Sequence, residues 1–306
     1  MKFRFILGLT LFAATPFAFA APAEARLLAP TQSASTRAVH ASVIAIGKVV
    51  ELEKDTVEGP AFPGAPKDQK ANFKIAVLKI EDALLGAKGL TQIRIGFMAD
   101  LAGAAPPPAV GGGPVAARPV RVGGGPVALT TGMEGCYLLE PLPGADFYIV
   151  SGNGPPLAKK DENYEKELKA IQTMVRTFEE PVKALKAKEF DDRFFAAYVL
   201  LQRYQLAKGD QSRVVRESIP DEENKLLLSV LVELPWLPKD PTVPGPAGGP
   251  PPSRSAIWHL MNWNEYKFTQ PKAAPGADYN KLMDDATTAF LKENVDKLKL
   301  KRKVVR

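Results

Sequence analysis

Cysteine, histidine and long apolar runs are scarce in this 306-residue chain, and each scarcity removes a class of chemistry. Cys136 is the only cysteine, so no intrachain disulfide can form and stability has to come from packing. It lies in the apolar run GCYLLEPL, which marks it as a buried small hydrophobe rather than a reactive thiol. The two histidines, His40 and His259, have no second histidine or carboxylate three or four residues away, so no zinc site is expected. Gly-x-Ser-x-Gly, Ser-x-x-Lys and His-Glu-x-x-His are all absent, which weakens hydrolase readings. No calcium-loop spacing is present. Beyond the amino terminus, no stretch approaches the ~18 consecutive apolar residues of a membrane helix, so no integral span is expected after the first 20 residues.

What is present begins with MKFRFILGLTLFAATPFAFA: Lys2 and Arg4, an apolar stretch from Phe5 to Ala14, then Ala18-Phe19-Ala20. A charged start, a short apolar core and a small-x-small site predict a signal peptide over residues 1–20, cleaved after Ala20, and a secreted or periplasmic protein. Residues 21–38 are rich in alanine, polar and without period, and read as a tether.

The charge is basic only at one end. The chain has 40 Lys and Arg against 34 Asp and Glu; without Lys2, Arg4 and the six cations of residues 297–306 the balance is 32 to 34. An anionic partner would therefore meet a cationic tail rather than a basic body, and nucleic acid is not an expected partner.

Residues 39–153 carry strand signals. Asn72 to Phe97, NFKIAVLKIEDALLGAKGLTQIRIGF, has Phe73, Ile75 and Val77 on one side of an extended chain and Ala76, Leu78 and Ile80 on the other. Both sides are apolar, so both faces should be covered. Ser42 to Glu53 reads as a first strand with Gly47 at a bulge or bend, and Glu58 to Lys70 as a loop. Gly86 and Gly89 suit left-handed turn positions between the second and third strands. Gly135 to Leu142 and Asp146 to Val150 complete a series of five. Residues 99–131 are low in complexity and repeat GGGPVA twice; no Gly-Lys-Ser/Thr follows either glycine run, so a loop is expected rather than a phosphate cradle.

The order SVIAIGKVV, FKIAVLKIEDALLG, IRIGF, GCYLLEPL and FYIV resembles bacterial secreted modules related to the netrin and tissue-inhibitor-of-metalloproteinase OB barrel, over Val39 to Ser151. The resemblance implies a small five-stranded OB-like β-barrel. The chain lacks the cysteines with which the animal inhibitors begin, so protease inhibition does not carry over.

After Pro156 the apolar period changes to about 3.6, and residues 157–306 predict an all-helical domain. Tyr164, Leu168, Ile171, Val175 and Phe178 share one helix face, with Asp161 as N-cap and Pro181 as the break. Further helices are expected at Asp191 to Ala207, Asp221 to Pro235, Ser253 to Trp263 and Asp278 to Asn294. Residues 238–252 hold seven prolines and read as an extended loop. The acid pairs Asp191-Asp192 and Asp221-Glu222-Glu223 fall at helix starts, where acids complement the dipole. Glu179-Glu180 and Asp284-Asp285 read as solvated faces.

The fold expectation is thus α+β, an OB-like barrel followed by helices, acting as a non-catalytic binding protein for a protein or envelope component, without cofactor or metal. Two features qualify as a binding surface. Trp258, Trp263 and Tyr266 belong to the densest aromatic cluster, which packs inside unless it binds a ring or a partner. The tail LKLKRKVVR places Lys297, Lys299, Lys301 and Lys303 in alternation, with Arg302 between, as in a lysine-protected edge strand or an anion-binding arm. The rival expectations are a secreted hydrolase with dispersed carboxylates and a binder of anionic envelope surfaces through this tail.

Overall fold

A computed structural model describes residues 33–66, 68–98, 128–151, 154–207 and 213–305. The expected signal peptide and nearly all of the tether and of the Pro/Gly-rich insertion lie outside the described residues. Six strands form the main sheet: β1 (Val43–Pro60), β2 (Lys70–Leu85), β3 (Gln92–Phe97), β4 (Glu134–Pro141), β5 (Tyr148–Val150) and β6 (Leu157–Ala158). Their order is β1-β2-β3-β5-β4-β6, and β1 also pairs with β4, so the pairings return to their start in a ring. Every pair is antiparallel except β3 with β5.

The apolar runs explain the ring. Val43, Ala45, Val49, Ala76, Leu78, Ile93, Ile95, Tyr137 and Leu139 form one buried cluster, each large member contributing about 1.5–3 kcal/mol. Alternate residues of β1 and β4, among them Ile44, Cys136 and Leu138, belong to a second cluster with helical residues. Gly47 sits at one of four register shifts in β1. A Cβ there would lie 2.2 Å from the Lys79 carbonyl oxygen, so the strand bends where only glycine fits. Gly86 and Gly89 adopt φ of 65° and 86° between β2 and β3. The expected loop from Glu58 is corrected: β1 continues to Pro60 and β2 begins at Lys70, because the hairpin ladder satisfies the backbone whatever its side chains.

Among the described residues the α-helices are α1 (Ala34–Ala38), α2 (Tyr164–Glu179), α3 (Pro181–Leu185), α4 (Phe190–Gln205), α5 (Asp221–Glu233), α6 (Arg254–Trp258) and α7 (Tyr279–Asn294). The end of the expected tether is therefore helical, with Ser33 accepting from Thr36 N as its cap. Asn163, not Asp161, is the N-cap residue of α2; Asp161 accepts from Asn163 N at 2.9 Å instead. The half expected to be all helical also contains β6 and a second sheet, β7 (Val214–Ser218) with β8 (Lys301–Val305). Leu168, Ile171 and Val175 of α2 and Phe195 and Val199 of α4 pack with the sheet residues Ile44, Cys136 and Leu138. Gln32–Arg306 is one compact unit. Among the described residues, no helix is long and apolar enough to cross a membrane.

Arg254 fixes the other helices. Only 1 % exposed, it donates from Nε to Leu231 O at 2.9 Å and from Nη2 to Leu234 O at 2.6 Å, groups that the end of α5 leaves without helical donors. Its Nη1 reaches Thr287 Oγ1 at 2.5 Å and Thr288 Oγ1 at 2.8 Å on α7. One buried cation thus ties three helices. Burial pushes its pKa down, and Asp284 opposes that shift. Replacing Arg254→Met should orphan the α5 carbonyls and cost about 3 kcal/mol or more, at ~1–3 kcal/mol per unsatisfied buried group; urea unfolding with an unchanged slope checks it.

Candidate functional site

Three segments far apart in sequence meet on the outer side of the ring. Arg94 of β3 stands opposite Val77 of β2, on the face away from Ile93 and Ile95. Between Leu52 and Thr56 the register of β1 slips against β2, so Glu53 lies in a bulge that re-aims its side chain. Glu53 takes Arg94 in a fork, Nε to Oε1 at 2.8 Å and Nη2 to Oε2 at 2.9 Å. Asp146, from the β4–β5 turn, accepts from Nη1 of the same guanidinium. The side chains of Arg94, Glu53 and Asp146 are 33 %, 31 % and 73 % exposed, so the cluster is held yet open to solvent.

The turn that carries Asp146 is anchored by its neighbour. Phe147 is 2 % exposed and packs on Phe73 with ring centroids 5.1 Å apart. It also lies on Gly96, where a Cβ would come within 2.3 Å of the Phe147 ring. Glycine at 96 therefore lets the turn fold onto β3, which brings Asp146 to Arg94. The hydrogen bond from Arg94, ahead of the charge itself, holds the Glu53 carboxyl below its ordinary value. Arg94 is raised, chiefly by the same bond.

Apart from this cluster, an opening of about 550 Å³ is lined by Thr130, Thr131, Met133, Glu134 and Lys159. Glu134 pairs there with Lys48 at 3.0 Å and Lys159 at 3.4 Å. Among the described residues, no group of three or more His, Cys, Asp and Glu side chains is placed to hold a metal ion. Burial pushes the Cys136 thiol up to about 12, against a smaller opposing effect of Arg37.

The residues singled out from the sequence lie elsewhere. Trp258 and Trp263, each 6 % exposed, are inside the helical core. Their rings stack at 3.6 Å and 13°, and Trp263 Nε1 donates to Trp258 O at 2.5 Å. Neither ring offers a face to a ligand. Tyr266 is half-buried beside Trp263. The tail is drawn to the same place: Leu298 and Leu300 are buried, and β8 pairs along β7. Glu265 accepts from Lys301 and from Arg216, the latter at 2.5 Å, so Tyr266 and Lys301 meet through its neighbour. Lys299 reaches Asp221 at 2.5 Å. Lys297 and Arg302 are exposed, and Lys303 is half-buried.

The acid pairs split by role. Asp191, Asp192, Asp221, Glu222 and Glu223 occupy first turns of α4 and α5. Glu180 pairs with Lys183 and Asp285 with Lys281. Asp284, expected on a solvated face, accepts from Trp236 N at 2.7 Å and lies 3.5 Å from Arg254. His259 is exposed. Sequence reading passed over Arg94, Glu53 and Asp146; the one available signal was a lone arginine between the isoleucines of QIRIGF.

No protein-family model matches this chain, and no curated protein matches it.

Two outcomes follow. A carboxyl lowered by its partner in the folded state stabilises the fold above its unfolded value, and that contribution is lost as pH falls through the folded value. Glu53→Gln should therefore flatten the acid limb of a stability–pH curve, most visibly below the unfolded value of 4.5. Trp263→Ala should cost about 3–5 kcal/mol of stability, read as a lowered denaturant midpoint; a change within ~0.5 kcal/mol, the surface range, would place the ring outside the core.

Proposed function

We propose that this is a secreted or periplasmic, non-catalytic binding protein whose ring is an OB-like barrel with its recognition surface on the outer face of β1, β2 and β3, centred on Arg94. The observation that carries the reading is the convergence of Glu53, Arg94 and Asp146, three partly exposed charged groups from separate segments, on one ring face. The pairing order β1-β2-β3-β5-β4 closing on β1, with β3 and β5 parallel, supports the barrel. OB folds bind extended polymers across the face of their second and third strands and through the loops joining strands one to two and four to five. Here the last of those loops carries Asp146. The analogy concerns fold, and the site argues separately. Exposed Lys79 and Gln92 flank Arg94 on the same face, so a polar partner suits it: a protein or an envelope polymer.

The test is site-specific crosslinking in the envelope of cells producing the full chain. A photoreactive phenylalanine in place of Val77, beside Arg94, should give a defined adduct that disappears with Arg94→Glu. The same probe at His259 is the control. An adduct at His259 alone, or one at Val77 indifferent to Arg94→Glu, would overturn the reading. Mass analysis of the same exported material should show a chain beginning at Ala21.

A further inference from the structure

One turn of helix holds the end of the described chain. Ile219 N donates to Leu300 O at 3.0 Å. Asn224 brackets the same residues, its Nδ2 donating to Leu298 O at 2.7 Å and its Oδ1 accepting from Leu300 N at 2.8 Å. Lys299 is tied to Asp221. Leu298 and Leu300 are then 6 % and 2 % exposed in the helical core, and β8 follows directly.

Glu223 is the remaining member of this turn and the anomalous one. It is a carboxyl only 4 % exposed. The Tyr204 hydroxyl of α4 donates to it, and the Arg302 cation of β8 acts on it from the strand being held. Glu217 of β7 stands opposite Arg302 in the register. A carboxylate has about four acceptor positions, and one hydroxyl leaves most of its lost hydration unreplaced.

We propose that Glu223 makes the attachment of the C-terminal strand pH-dependent: the strand is held closed while this carboxyl is protonated and opens more readily once it is charged. Opening lets water reach the carboxylate, so the charge favours the open form. Burial raises the pKa of Glu223, and the opposing effect of Arg302 is smaller. The direction follows from linkage. A carboxyl raised in the closed state contributes fully below its open-state value, near 4.5, and the contribution is lost as pH rises through the closed-state value. Release would free Lys299 from Asp221, Lys301 from Glu265 and Arg302 from Glu223 together, turning a docked strand into a cationic arm.

Hydrogen exchange of the full mature chain between pH 4 and 8 tests this, read at the amides of residues 300–305 after correction for intrinsic exchange. The opening constant should rise by up to about tenfold for each pH unit separating the closed-state and open-state values. It should be flat in Glu223→Gln. In Arg302→Ala the rise should persist with its midpoint moved to higher pH, which keeps the proposal falsifiable if the glutamine variant does not fold. An equal rise in Glu223→Gln, a strand that tightens with rising pH, or an unmoved midpoint in Arg302→Ala would each overturn it.

Discussion

Around Ile44, Cys136 and Leu138 the outer face of β1 and β4 is closed off from water, and most of the structure follows from that. Ile44, Cys136 and Leu138 project away from the ring interior into a layer made by Leu168, Ile171, Val175, Phe195 and Val199. Strands buried on both faces must be apolar on both, which is why these runs do not alternate. The same layer puts Cys136 where its thiol stays protonated. Most of the polar atoms at its margin find partners within the protein, the buried Arg37 Nε being the exception among the described residues. Arg203 donates to Val39 O and Ala41 O, both at 2.7 Å, and lies over the Phe178 ring at 4.9 Å. Arg37 donates to Gly154 O and Pro155 O, each at 2.8 Å. These two arginines tie α4 to the segment leading into β1, and α1 to the segment leading into β6, through backbone carbonyls, a role in which the planar guanidinium reaches two acceptors at once.

The helical half repeats the device. Arg254 closes the end of α5 onto α7, and Asn224 closes its start onto the C-terminal segment. Both are buried polar side chains, Arg254 with partners on α5 and α7 and Asn224 with both partners on residues 298–300. Each sits where a helix end or an unpaired strand would otherwise leave donors or acceptors in a dry interior. The charged cluster around Arg94 differs in kind. It is partly exposed, and the apolar clusters do not include it. It is held in place instead by the bulge in β1 and by the seat of Phe147 on Gly96.

Local pattern foretold the elements better than their meetings. The strand runs, the glycine turns at 86 and 89, and the helices around Leu168, Phe194 and Leu227 are each written in spacing that neighbouring residues enforce. The extension of β1 beyond Glu53 to Pro60 was not visible, because Thr56 to Pro60 pair with Lys74 to Lys70 across the hairpin, and cross-strand pairing overrides local strand propensity. Helix α1, Ala-Ser-Thr-Arg-Ala, has no apolar period and owes its place to the surface it covers. Pairing of β7 with β8 joins residues 214–218 to 301–305, a separation no local signal spans. The aromatic cluster was legible as a cluster and as core, since large aromatics mostly pack inside, and Trp258 and Trp263 are buried there. Arg94, Glu53 and Asp146 are unremarkable singly and become a site only by convergence.

If the shared layer is the organising constraint, the ring and the helices packed on it cannot melt separately. Scanning calorimetry of the whole chain is the direct measurement. The predicted result is one transition in which the calorimetric and van't Hoff enthalpies agree for a single cooperative unit. Two resolved transitions, one reported by Tyr137 in the ring and the other by the stacked pair Trp258 and Trp263 in the helices, would contradict it.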